Sequence, residues 1–267
     1  NAGQLYKHLP RLEKIINIKK KKYNFHWYEM YKNCHKESWD IVIDLRSSFL
    51  SYFLKTKKRY IFKKNKKFCH LDQLEKFFNH KLPNLYIYTS KEENKLADQN
   101  IKSDYKHVVI FVGGNWKPKI WPVENFNEIM HTILNEFSNI RFILVGSHEE
   151  KNLYYDKIIK NIPNELFINL MGESLPLTSA YMKRSHLFIG NDSGLMHLSI
   201  ASNLTTIALF GPTNDKIYGH KNDNSYVVRT LETYEYFSNN VINKNKSYMS
   251  SIKPNQILNI IKDNKLL

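Results

Sequence analysis

The residues of this chain best suited to chemistry lie in one stretch, Phe188-Ile189-Gly190-Asn191-Asp192-Ser193-Gly194-Leu195-Met196-His197-Leu198. An apolar run of strand type ends at Gly190, Asp192 or Ser193 can cap a following helix, and Gly194 puts no side chain in its first turn. A helix start carries N–H groups without partners and about half a positive charge, so the arrangement suits a phosphate or diphosphate. His197 stands four residues after Ser193, one turn along the same face, within reach of whatever those amides hold. Taken alone, the same residues read as a helix cap and a half-buried histidine.

Two further loops favour the binding reading. The next strand-like run, 205–210, ends in Gly211-Pro212-Thr213-Asn214, and the run 107–112 ends in Gly113-Gly114-Asn115-Trp116-Lys117-Pro118-Lys119-Ile120-Trp121-Pro122. In an open parallel sheet such loops share the carboxyl edge, where ligands bind. Gly113 and Gly114 permit close backbone approach, Lys119 is placed to face an anion, and Trp121-Pro122 opens the next helix. On its own, Gly-Gly followed by Lys is an ordinary turn with a surface lysine.

The elements that must position these loops alternate in type. From residue 107, strand-length runs at 107–112, 140–145, 166–169, 187–190 and 205–210 alternate with helical periodicity over 124–137, 149–160, 175–184 and 193–202. That order predicts βαβ units, a parallel sheet covered on both faces, and a doubly wound, Rossmann-like domain. The first hundred residues repeat the alternation more weakly, with a buried strand at 39–45, a helix at 47–55, a strand at 59–62 and a helix at 71–79. The polar stretch 91–106 reads as a linker. A last helix, 255–262, follows Pro254. The expected division is a first Rossmann-like domain over 1–98, a linker at 99–106, a second Rossmann-like domain over 107–253 and a C-terminal helix over 254–267.

In their order and spacing, Lys119-Ile120-Trp121-Pro122, Gly190-Asn191-Asp192-Ser193-Gly194-Leu195-Met196-His197 and Leu209-Phe210-Gly211-Pro212-Thr213 resemble the family 9 glycosyltransferases, the ADP-heptose:lipopolysaccharide heptosyltransferases and their relatives. Trp39-Asp40-Ile41-Val42-Ile43-Asp44-Leu45 is similar to that family's Tyr-Asp-x-Val-Ile-Asp-Leu strand. The resemblance implies an α/β protein of GT-B architecture, two Rossmann-like domains facing across a cleft, with the donor on the C-terminal one. It implies an inverting transfer of a heptose or related sugar from an ADP-sugar to a lipopolysaccharide core or similar glycan, without a metal or other cofactor. Ser193, Gly194 and Leu195 would hold the donor diphosphate through their N–H groups, Asp192 would contact the sugar, Lys119 the phosphate or sugar, and His197 the diphosphate end. Adenine would lie near Met171-Gly172-Glu173 and the end of the 140–145 strand, with Glu149 and Glu173 as candidate contacts. Either glutamate also reads as a solvent-facing residue at a helix start. Gly114 and Asn115 stand where some members carry small hydroxyl residues, which bears on sugar preference.

One family feature has no counterpart. Members open with a strand and a Gly-Asp loop whose carboxylate deprotonates the acceptor hydroxyl, whereas 5–18 here resembles the part after the second strand, with a short strand expected at 14–18. The expectation is a chain lacking the first strand, helix and second strand, and with them the general base. Asp44 and Arg46 then fall on the acceptor side, Asp44 with a structural or acceptor role rather than that of base.

Charge and composition bound the alternatives. Of the formal net charge of +15, residues 1–70 carry +13, in runs such as Lys19-Lys20-Lys21-Lys22 and Lys63-Lys64-Asn65-Lys66-Lys67. These suit an anionic membrane surface or a phosphorylated acceptor, or form a solvated lysine-rich face. A basic nucleic-acid module would show an aromatic RNA platform, a helix-turn-helix or zinc spacing, and none is present, so no nucleic acid is expected. Cys34 and Cys69 fit neither a zinc site nor a disulfide framework and read as cytosolic thiols. No apolar run reaches the roughly 18–20 residues of a membrane span, which leaves a cytoplasmic protein, at most peripheral to the membrane. With 42% hydrophobic and 13% aromatic residues, intrinsic disorder is excluded. Another nucleotide-sugar donor and a catalytically silent scaffold remain as alternative readings.

Overall fold

The computed structural model describes residues 2–65, 68–219 and 224–267. It divides into two units, Asn1–Pro83 and Asn84–Leu267. Lys66 and Lys67 of the second basic run lie outside the described residues.

The first unit holds helix α1 (Phe25–Cys34), strand β1 (Ser38–Asp44), strand β2 (Lys55–Ile61) and helix α2 (His70–Phe78). β1 and β2 form a parallel pair, Val42 opposite Arg59. The strand expected to be buried is mostly exposed: with only β2 paired beside it among the described residues, Trp39, Ile41 and Ile43 are 38, 53 and 49% exposed. The helix expected over 47–55 is a 3-10 turn, Phe49–Phe53. Two local interactions outcompete the α-helix there. The Asp44 carboxylate takes the N–H groups of Arg46 and Ser48, and Arg59 takes the Ser51 and Leu54 carbonyls. Residues 14–18 form no strand, and α1 arises where no helix was expected.

The second unit runs α3 (Lys91–Asn100), β3 (Lys106–Phe111), α4 (Val123–Glu136), β4 (Ile140–Leu144), α5 (His148–Ile158), β5 (Phe167–Asn169), α6 (Leu175–Met182), β6 (Leu187–Asn191), α7 (Gly194–Ala201), β7 (Thr206–Phe210), α8 (Asp215–Tyr218), β8 (Ser225–Arg229), α9 (Tyr234–Asn239) and α10 (Pro254–Asp263). Its parallel sheet has the order β5-β4-β3-β6-β7-β8, the doubly wound order whose direction reverses between β3 and β6. Helices α4, α5 and α10 pack together on one face, and α3, α6 and α7 on the other. The strands carry apolar residues on both sides, as burial on both faces requires: Val108, Ile110 and Ile189 on one face and Val109, Ile143 and Phe188 on the other are all at most 1% exposed.

The stretch expected to be a linker is α3. Ser90 and Glu93 close a capping box at its start. Its polar face then meets α6 and the turn after it, where Arg184 donates to Asp98 and Asn94. Polar composition reflects that exposed, ion-paired surface rather than a lack of structure, and the division of the chain falls earlier, after Pro83. β8, α8 and α9 were also not foreseen, being short and weakly patterned.

The carboxyl ends of the strands are tied together by one side chain. Asn191, fully buried at the end of β6, donates from Nδ2 to the carbonyls of Val112 (3.1 Å) and Gly113 (2.9 Å), and its Oδ1 accepts the Trp121 N–H at 3.0 Å. The loop after β3 is thereby fastened to β6 at both of its ends. Asn191→Asp keeps the shape but sets a carboxylate oxygen against two carbonyls. It is expected to lower the unfolding free energy by about 3 kcal/mol, read by urea denaturation; a loss under about 1 kcal/mol would contradict this role.

At the opposite end of the sheet, His107 of β3 is fully buried. Burial first, then the nearby His186 and Arg141, lower its pKa to about 4, against a smaller opposing pull from the Tyr105 backbone. The unfolded chain therefore takes up this proton first as pH falls below about 6.5, so stability present above that value is lost between pH 6.5 and 4. Relative to wild type, His107→Val is expected to gain about 3 kcal/mol between pH 7 and 4 in denaturant titrations. A pH-independent difference between the two proteins would show that the histidine is not buried in its neutral form.

Candidate functional site

The direction of strand order reverses between β3 and β6, and the loops after these strands carry most of the residues singled out from the sequence. Ser193 is the N-cap of α7, its hydroxyl accepting from Leu195 N at 3.2 Å and Met196 N at 3.5 Å. Leu195 N–H is thus engaged by the cap, a departure from the expected set of three diphosphate-binding amides. The Ser193 and Gly194 N–H groups have no backbone acceptor among the described residues. A β-carbon built on Gly194 would meet nothing within 4 Å, so the space over the helix start is open. An exposed N-terminus of this kind favours an anion.

Asp192, 5% exposed, lies beside that helix start, its N–H donating to Leu209 O of β7 at 3.0 Å. Its carboxylate forms an ion pair with Lys119 at 3.5 Å, the two side chains 7 and 13% exposed. Desolvating both charges cancels most of their attraction, so the pair contributes little net stability and its value lies in what it presents to a ligand. Lys119 ends a 3-10 turn, Lys117–Lys119, which is held from two sides. Asn191 binds the Trp121 N–H, while Ser247 Oγ donates to Ile120 O (2.6 Å) and Tyr248 N to Pro118 O (3.0 Å). Trp121 anchors this loop in the core, fully buried, with its indole N–H on Ile252 O at 3.0 Å.

His197 joins the same group, near enough to feel both Asp192 and Lys119. Burial is the largest influence and lowers its pKa, Asp192 raises it, Lys119 lowers it again, and the net shift is downward. The imidazole is therefore neutral at pH 7 and offers a ligand a hydrogen bond rather than a charge.

The expected nucleoside region takes a different form. Glu149 is exposed, its carboxyl held below its ordinary pKa by its own backbone N–H and then by the Ser147 hydroxyl. Glu173 is also exposed. Glu150, passed over in the sequence, is the residue that reaches the sheet edge. Its Oε2 accepts Ser147 N at 2.7 Å, and its carboxylate lies where a β-carbon on Gly113 would be, which explains the glycine there. Gly172 takes φ +97° beneath the His148 ring, a conformation that favours glycine. Gly114 and the exposed Asn115 border the same loop.

In the first unit, Asp44 has both carboxylate oxygens in use. Burial raises its pKa, but the Arg46 N–H, the Ser48 and Ser51 side chains and the Ser48 N–H outweigh that, and the net pKa is lowered. It is a turn-bracing carboxylate, which accords with a structural role. Arg46 lies over the Trp27 ring at 6.0 Å and lines a cavity of about 740 Å³ with Trp27, Tyr28, Tyr31, Phe49 and Phe53. Asn191 is the site residue that sequence reasoning missed; the available signal was a polar residue at the end of an otherwise apolar strand.

Comparison with known proteins bears on the family and the fold. The chain is 25% identical over 285 residues to lipooligosaccharide heptosyltransferase 2 of Campylobacter jejuni serotype O:2, covering 98% of this chain and 86% of that protein. Among solved structures, a family 9 glycosyltransferase from Veillonella parvula matches with a TM-score of 0.74 at 19% identity, covering 97% of this chain and 84% of that one. The ADP-heptose lipopolysaccharide heptosyltransferase II of E. coli matches with a TM-score of 0.71 at 17% identity, covering 99% and 86%. These structures bear on fold, and agree with the α/β class and GT-B architecture that the motifs implied. The family model of glycosyltransferase family 9 (heptosyltransferase) matches residues 66–248, more than half of the chain. The protein therefore belongs to glycosyltransferase family 9 and is a glycosyltransferase.

Proposed function

We propose that the protein transfers a heptose or a related sugar, with inversion and without a metal or other cofactor, from an ADP-sugar to a lipopolysaccharide core or similar surface glycan. The observation that carries this reading is the meeting of the Lys119–Asp192 pair, His197 and the open start of α7 at the point where strand order reverses. Kinship with heptosyltransferases, including one named for ADP-heptose, supports the choice of donor.

In the proposed reaction the bond between the donor sugar and its diphosphate breaks as an acceptor hydroxyl attacks the opposite face of the sugar carbon, its proton passing to solvent. Negative charge develops on the leaving diphosphate. The Ser193 and Gly194 amides, the dipole of α7 and the Lys119 ammonium stabilise it, a preorganised arrangement that requires little rearrangement during transfer. Neutral His197 donates a hydrogen bond to the diphosphate end. Asp192 accepts from a hydroxyl of the sugar and orients Lys119. The loops at Gly114, Asn115 and Glu173 border the sugar and nucleoside.

The first unit is the acceptor side in this reading. Its basic runs face a phosphorylated acceptor or anionic headgroups, and the Arg46 cavity offers a guanidinium among aromatic rings to an acidic sugar. The reading calls for a cytoplasmic protein peripheral to the membrane. Among the described residues no helix is long and apolar enough to cross one. Nucleic acid has no part in this reading.

Isothermal titration should show ADP binding that persists in EDTA and is not matched by UDP or GDP. Lys119→Ala should weaken both ADP and ADP-heptose at least tenfold, a change of about 1.4 kcal/mol. Asp192→Ala should weaken ADP-heptose more than ADP. Wild-type affinity in both variants would remove the site assignment, and equal affinity for UDP would remove the donor assignment.

A further inference from the structure

The Gly211-Pro212-Thr213 turn lies one strand away from the anion site, since β7 pairs with β6 and Leu209 O accepts the Asp192 N–H. A single guanidinium spans this turn. Arg229, the last residue of β8, has a side chain only 20% exposed. Its Nη2 donates to Gly211 O at 2.7 Å, and its Nη1 reaches Thr213 O at 3.4 Å and forms an ion pair with Asp215. Weaker contacts reach the Glu232 carbonyl, at 3.5 Å from Nε and 3.4 Å from Nη2. The planar fork thus binds both ends of the turn and the first residue of α8.

The other side of the turn is closed. A β-carbon on Gly211 would strike the Met249 sulfur, so the turn is held between Met249 and the Arg229 fork. Met249 in turn donates its N–H to Ser247 Oγ at 3.1 Å, and that hydroxyl donates to Ile120 O at the end of the Lys119 loop. Arg229 therefore acts on a turn that is continuous, through Met249 and Ser247, with the loop carrying Lys119. The Thr213 hydroxyl is secluded in this turn without a hydrogen-bond partner among the described residues. An unpaired buried hydroxyl has a cost that a turn serving only to connect β7 to α8 would be expected to avoid.

We propose that Arg229 is a positioning residue for the donor site: it touches no ligand itself, and by holding the Gly211–Thr213 turn it sets the position of Asp192 and Lys119 for the diphosphate. This rests on the proposed donor site and adds a specificity for arginine at the end of β8. A lysine keeps the charge but cannot bridge two carbonyls and a carboxylate in one plane.

The test uses the full chain with ADP as probe. Arg229→Lys and Arg229→Gln should each weaken ADP at least fivefold. Asp215→Asn should weaken it less, and adding Asp215→Asn to Arg229→Lys should have little further effect, because the two residues act as one unit. Val228→Ala, a buried neighbour in the same strand, controls for general loosening and should lower Tm without changing ADP affinity. Wild-type affinity in both Arg229 variants overturns the inference, as does an equal loss of affinity in Val228→Ala. Lys119→Ala separates the two levels. If it weakens ADP while the Arg229 variants do not, only the positioning role fails; if neither weakens ADP, the donor site itself is misplaced.

Discussion

The second unit depends on a buried amide. Asn191 ends an apolar strand and spends its side chain on backbone groups of another loop, two carbonyls and one N–H, all out of water. Loops at the edge of a parallel sheet normally wander, because the ladder that orders the strands has ended. Here the chain leaving β3 is held at Val112 and Gly113, and again at Trp121, by the strand beside it. The segment between those points carries Lys119, so the lysine is placed against Asp192 by a neighbour of Asp192 itself. The geometry of the ion pair follows from this tie rather than from attraction between the charges.

Around that tie the site is assembled from groups that contribute little to stability. The Lys119–Asp192 pair is nearly buried, His197 is kept neutral, and Gly194 leaves the start of α7 uncovered. Each arrangement is unfavourable or indifferent to folding and suited to a ligand that brings negative charge. A diphosphate would take the amides of α7 and the ammonium together, while a neutral His197 adds a directional contact without attracting a second anion. The Ser247–Met249 segment and Arg229 extend the same framework across the sheet edge, so three loops behave as one surface.

The two units contrast in how their apolar residues are used. In Asn84–Leu267 both faces of the sheet are covered, and the strands were readable as uninterrupted apolar runs. In Asn1–Pro83 the same kind of run, Trp39 to Ile43, lies in a two-stranded sheet and stays largely exposed. Periodicity reports what a strand could bury, not whether a partner covers it. The helix expected after β1 failed for a local reason: Asp44 and Arg59 claim the backbone groups that an α-helix would have used. The polar stretch after Ser90 failed in the opposite sense, since its charges decorate the outer face of a capped helix.

Sequence alone determined the alternation of β3 through β7 with their helices, the Rossmann-like class, and the three loops that meet at the sheet edge. These follow from hydrophobic period, glycine and proline placement, and capping chemistry, all local properties of the chain. Tertiary structure decided what depends on neighbours distant in sequence. It assigned Asn191 to the loop after β3, Glu150 rather than Glu149 to the space over Gly113, and Arg229 to the turn at Gly211. A buried hydrogen bond between residues seventy or more positions apart leaves no period in the sequence, because its strength comes from the removal of water that only folding accomplishes.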